Sequence, residues 1–149
     1  MTDPVAQRSR ELFESGLYCA ESIVLAMAES QGIQSPLLPK IATGFCGGVA
    51  DTGGMCGALA GAIMGIGLAA GRTSPAEPVD PAFRLARELL SAFEREFGSI
   101  NCRQLTGCDL TTEAGRRAYL EGGMFGRCGR YVESAAGIAT RLLGGSDLT

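Results

Sequence analysis

The sequence predicts an all-α fold: one domain over residues 1–149, a compact bundle of about six to seven helices around a central Gly/Ala-rich helix. Three observations predict it. Apolar residues recur at helical spacing, capping residues and glycines bound those stretches, and the alternation that marks a strand is absent. Asp3 is placed to cap a first helix with Pro4 at its first position, and Gly16 to stop it. A second helix opens at Cys19 and runs to about Gln31, with Cys19, Ile23 and Met27 on one face and Gly32 beyond. Ser35-Pro36 starts a short third helix that ends near Gly44. Residues 44–57 hold too many glycines for a regular element. A fourth helix follows from about Cys56 to Ala70, with Gly57, Gly61 and Gly65 on one face. Such a stripe admits a close helix backbone, within the fold or across a homodimer. After Pro75, Pro78 and Pro81, Asp80 is read as the cap of an amphipathic helix to Phe97, with Leu85, Leu89, Phe93 and Phe97 near one face and Gly98 beyond. Cys102–Thr106 reads as one or two turns ended by Gly107. Thr111 or Thr112 caps a helix to about Glu121, and a last helix spans about Cys128 to Leu143.

Composition removes several classes of function. The chain has no histidine, so Ser-His-Asp and Cys-His catalysis, His-ligated haem and His-containing zinc sites are excluded. A net charge of −3 without a basic stripe argues against nucleic acid. Lys40 is the one lysine among 13 cations, and it precedes the glycine-rich loop, so no phosphate-binding P-loop is formed. The first sixteen residues lack the order of a secretion signal, and the apolar run Met55–Ala70 is shorter than a membrane span. The expected location is the cytoplasm, where six cysteines suggest metal or redox chemistry rather than a disulfide framework.

The cysteines are Cys19, Cys46, Cys56, Cys102, Cys108 and Cys128, and none form a Cys-x-x-Cys pair. Position in the elements is more informative than spacing. Cys19, Cys56, Cys102 and Cys128 each fall at or near a predicted helix start, where unpaired N–H groups and the helix dipole stabilise a thiolate. Arg103, Arg127 and Arg130 lie beside two of them. The backbone of residues 47–57, with Gly57 next to Cys56, is suited to cradle an anion or inorganic sulfide. The competing reading is that free cysteines simply fill a core as small hydrophobes. Cys46 and Cys108 lack the helix-start context and stay nearer that reading, although either is close enough in sequence to act as a resolving thiol. Asp51 is the lone carboxylate of the loop, read mainly as a turn residue.

Cys56-Gly57-Ala58-Leu59-Ala60-Gly61 resembles the central motif of the C-GCAxxG-C-C family of redox-active proteins, with Cys56 here preceding Gly57. The wider order fits as well: Cys19 ahead of an apolar helix, Gly44-Phe45 and the glycines before Cys56, Cys102-Arg103-Gln104-Leu105-Thr106-Gly107, and Cys128 before the last helix. The resemblance implies a helical protein with four characteristic cysteines, mapping onto Cys19, Cys56, Cys102 and Cys128. The family is similar to the amino-terminal part of split-Soret cytochromes, where a cysteine-bound iron–sulfur centre is suspected. This chain has no Cys-x-x-Cys-His site, so haem is not expected.

The leading expectation is therefore an iron–sulfur cluster on those four cysteines, for electron transfer or redox sensing with a partner protein. The first alternative is thiol–disulfide chemistry with Cys56 as the reactive, low-pKa thiol. The second is a structural four-cysteine zinc site, or buried thiols in a non-redox helical interaction module.

Overall fold

Asp3 starts the first helix by accepting the backbone N–H groups of Val5 and Ala6 at 2.8 and 3.0 Å, which leaves Pro4 where its missing N–H costs nothing. In this computed structural model, which describes residues 3–145, the helical segments follow in order. They are α1 (Pro4–Glu14), α2 (Cys19–Ser30), the single turn α3 (Cys46–Val49), α4 (Gly57–Ala70), α5 (Ala82–Phe97), α6 (Cys102–Thr106), α7 (Glu113–Glu121) and α8 (Met124–Gly144). Among the described residues there is no strand, only an isolated antiparallel bridge between Met55 and Asn101. No helix among them is long and apolar enough to cross a membrane.

The apolar periodicity explains the packing. Helix α4 lies at the centre and packs on α2, α5 and α8. Its faces and theirs meet in Ile23, Met27, Leu59, Ile66, Leu85, Leu89, Phe93 and Val132, all fully buried. Each such side chain contributes about 1.5–3 kcal/mol on leaving water. The glycine stripe faces α2 inside the fold: a Cβ at Gly61 would stand 2.9 Å from Ala20 Cα, and one at Gly65 would fall on the Met27 side chain. The stripe is thereby used within the chain and offers no face to a second copy.

Three boundaries differ from the sequence reading. The segment after Ser35-Pro36 forms a 3-10 turn at Lys40–Phe45 rather than an α-helix. Asp80 does not cap α5. Pro81 occupies that position without a side-chain bond, and the Val79 carbonyl already accepts the Phe83 N–H at 3.2 Å because the chain is turning before the helix begins. The last helix starts at Met124, four residues before Cys128. Gly126 lies in its first turn, where tertiary packing overrides the low helix propensity of glycine. Gly129 makes room for the Arg10 guanidinium, where a Cβ would come within 2.5 Å of Nε, and Phe125 stacks on Phe13 with ring centroids 4.7 Å apart.

The glycine-rich loop holds the least common backbone. Gly47, Gly48, Val49, Ala50 and Asp51 all have φ between +50° and +70°, so the chain makes a left-handed turn of five consecutive residues. For the three that carry a Cβ this costs about 1–2 kcal/mol each. Backbone bonds hold the turn closed: Asp51 N–H to Cys46 C=O at 3.3 Å, Gly53 N–H to Gly47 C=O at 3.2 Å and Gly54 N–H to Gly48 C=O at 2.7 Å.

Candidate functional site: a thiol-lined cavity

Four separate elements each deliver one thiol to the same hollow. Cys19 is the first residue of α2 and follows Tyr18, whose N–H is taken by the Glu21 carboxylate at 2.9 Å. Cys56 caps α4, and its carbonyl accepts Leu59 N–H and Ala60 N–H at 3.0 and 3.1 Å. Cys102 opens the short helix α6. Cys128 lies in the second turn of α8, so the expectation of four thiols at helix starts fails at this position. It fails because α8 begins at Met124, earlier than the sequence reading places it. The dipole argument is also thin at Cys102, since α6 has only 5 residues. It applies to Cys19 and Cys56, at the starts of full-length helices.

Two backbone exchanges bring the floor of the hollow together. Cys56 N–H donates to Ile100 C=O and Cys102 N–H to Gly54 C=O, both at 2.7 Å, on either side of the Met55–Asn101 bridge. This staple joins residues far apart in sequence and sets the Cys56 and Cys102 side chains on one wall. Gly57 has a definite part in the arrangement: the Cys19 sulfur lies where its Cβ would be, with Phe45 O at 3.0 Å. Glycine at that position is a space for sulfur.

Cys19, Cys56, Cys102 and Cys128 all line one cavity of about 380 Å³. That is in the range of small-ligand sites and equals the liquid volume of roughly a dozen waters. Phe13, Leu105, Leu110, Phe125 and Tyr131 make the rest of its wall apolar, and Tyr18, Leu120 and Asp51 stand at its exposed edge. Arg116 and Tyr119 supply polar atoms. Cys46 and Cys108 are not on the wall. The Cys46 thiol donates to Ala42 C=O at 3.8 Å while packing on Cys19, and the Cys108 thiol donates to Thr106 C=O at 3.3 Å. Among the described residues, no group of three or more Cys, Asp or Glu side chains converges closely enough to hold a single metal ion.

The electrostatics differ from the helix-start argument. Burial pushes the Cys56 thiol from 9.0 up to about 12, although the N–H groups of Ala58 and Leu59 pull the other way. Desolvation outweighs the helix terminus here, so Cys56 is not the easily ionised thiol that its position suggested. Cys102 is raised to about 11, by burial first and then by the charges of Cys128 and Asp51. Cys128 is also raised by burial, with the Tyr119 hydroxyl and Arg127 favouring its thiolate. Burial likewise raises the Tyr119 phenol, and the neighbouring Cys128 adds to the effect.

The Cys56 shift has a consequence for stability. Unfolded, this thiol ionises near 9; folded, it holds its proton to about 12. Its contribution is therefore complete below about pH 9. Above that pH it declines by about 1.4 kcal/mol per unit as pH rises towards the folded value. Reduced, metal-free protein should melt progressively lower between about pH 9 and pH 11, and Cys56→Ala should flatten that slope. Thermal denaturation followed by circular dichroism checks both.

Several of these wall residues carry no signal in the sequence. Phe13, Tyr119 and Tyr131 look like ordinary amphipathic-helix residues, and only the packing of α1, α7 and α8 aims them at the sulfurs. Tyr131 is fixed by its hydroxyl, which donates to Leu105 C=O at 3.1 Å.

Fold and site together define a class: a small helical domain that gathers widely separated thiols around one apolar cavity. The chain belongs to the C_GCAxxG_C_C family, whose model is described as "Putative redox-active protein" and matches residues 17–142. An uncharacterized protein of Archaeoglobus fulgidus is 30% identical over 125 residues, covering 77% of this chain and 83% of its own. No solved structure matches the chain.

Proposed function

We propose that Cys19, Cys56, Cys102 and Cys128 together hold an iron–sulfur cluster, and that this protein carries electrons or senses redox state. The observation behind this reading is that four thiols from four elements line one cavity, while Cys108 is turned onto a backbone carbonyl and Cys46 lies off the wall, bonded to Ala42 C=O and to Cys19. Four thiolates are the usual ligand set of such clusters. The lining fits the group chemically: sulfur donors, no histidine, and apolar walls that keep water away. When bound, the cluster supplies one-electron chemistry. The chain's own residues hold it, exclude solvent and adjust its charge: Arg127 and the Tyr119 hydroxyl favour the Cys128 thiolate, and favouring negative sulfur tunes a reduction potential.

The alternatives have less support. A mononuclear zinc site needs its donors gathered at about 2.3 Å from one point, and such a convergence is absent among the described residues. Cluster ligands stand outside a larger core, so wider spacing suits them. A reactive thiol at Cys56 conflicts with a thiol held at about 12. Because the thiols must lose protons on binding metal, apparent affinity should rise with pH. Purification without oxygen, or reconstitution with ferrous iron and sulfide, should yield a brown protein with iron and acid-labile sulfide near stoichiometry. A colourless chain that resists reconstitution refutes the reading.

A further inference from the structure

The left-handed turn at residues 47–51 ends on a carboxylate at the rim of the thiol cavity. Asp51 lines the thiol cavity from its exposed edge, with φ +65°. Among the described residues its carboxylate accepts no hydrogen bond and has no cation within ion-pair distance. The backbone around it is nonetheless closely specified. A Cβ at Gly47 would fall on the Asp51 carboxylate, and one at Gly48 would stand 2.6 Å from Cys102 Cβ. The turn is thus pressed against Cys102 on one side and leaves a glycine-sized space for the Asp51 side chain on the other. Strain of this kind persists where the surroundings over-determine it, and it concentrates at functional sites.

Charge makes the arrangement more specific. A carboxylate beside buried, neutral thiols meets no opposite charge while the cavity holds no cation. A metal supplies that charge, and carboxylate and thiolate are both anionic donors that ligate iron. We propose that Asp51 supplies an oxygen donor beside Cys102, as a fifth protein donor to the centre held by the four cysteines. The inference rests on the cluster reading above and assigns a further residue to it. Its position at the exposed edge makes it the donor nearest solvent, the place where a metal atom would enter or leave.

Asparagine tolerates left-handed torsions and glycine adopts them freely, so Asp51→Asn and Asp51→Gly both remove the charge without straining the turn. Wild type and both variants are reconstituted anaerobically with ⁵⁷Fe and sulfide. Each is then challenged with a ferrous chelator and examined by Mössbauer spectroscopy, with thermal melts reporting the fold. All three should take up iron and sulfide. The variants should surrender iron about 10–100-fold faster, the size of effect seen on losing supporting partners at metal sites, and should lose a distinct quadrupole doublet present in wild type. Should Asp51→Asn melt early, Asp51→Gly carries the comparison. Chelation rates and spectra indistinguishable from wild type overturn the role of Asp51 while leaving the four-thiol site intact. A wild-type chain that binds no iron and sulfide overturns the four-thiol site itself, and the role of Asp51 with it.

Discussion

Gly61→Val should lower the thermal midpoint by about 10 °C or more, the equivalent of about 3 kcal/mol for a domain of this size. Gly61 sits where α4 crosses α2, and even a single Cβ there would meet Ala20 O at 2.5 Å, Ala20 Cα at 2.9 Å and Ala20 C at 3.1 Å. These are backbone atoms of a buried helix, so no rotamer change relieves the contact. The two helices would have to part, opening the core around Ile23, Met27 and Leu59. Against a total stability of about 5–15 kcal/mol, such a loss is large. Gly67 provides the control within the same helix, because a Cβ there meets nothing within 4 Å. Gly67→Ala should raise the midpoint slightly through helix propensity alone. Scanning calorimetry of both variants makes the comparison, and equal midpoints would contradict the close-packed account of α4.

Gly57→Ala should separate the site from the fold. The Cβ it adds would fall on the Cys19 sulfur, with Phe45 O at 3.0 Å and Cys46 Cα at 3.3 Å. The sulfur is the far end of a side chain and can rotate away, so the fold should survive with a loss of about 1–2 kcal/mol. The Cys19 thiol then leaves the position from which it faces the cavity. Reconstituted Gly57→Ala protein should keep its helical circular dichroism and release iron to a chelator about 10–100-fold faster than wild type. Unchanged retention would mean that Cys19 does not need its place over Gly57. The role expected of Gly57 from its position beside Cys56 thus takes a specific form, as room for a neighbouring thiol.

The helices were largely legible because their signals are local. Asp3-Pro4, the apolar positions of α5 and the stop at Gly107 act through neighbours three or four residues away, and the chain folds there as they dictate. What sequence could not convey depends on contacts between distant segments. The sequence reading starts the last helix at about Cys128, yet α8 begins at Met124, where Phe125 stacks on Phe13 of α1. Val49 and Ala50 are poor choices for left-handed torsions, so their conformation is set by the closed turn and the staple to residues 100–103 rather than by propensity. The thiols show both sides of this. Helix position drew attention to the four cysteines that line the cavity, but it misjudged Cys56, where burial outweighs the helix terminus, and Cys128, which lies a turn inside its helix.

Replacing the six cysteines one at a time by serine, then measuring iron and acid-labile sulfide after anaerobic reconstitution, tests the shared cavity most directly. Loss of cluster at Cys19, Cys56, Cys102 and Cys128, with retention at Cys46 and Cys108, is the predicted pattern. Retention at any two of the four, or loss at Cys46 and Cys108 in protein that still melts as wild type does, would contradict it.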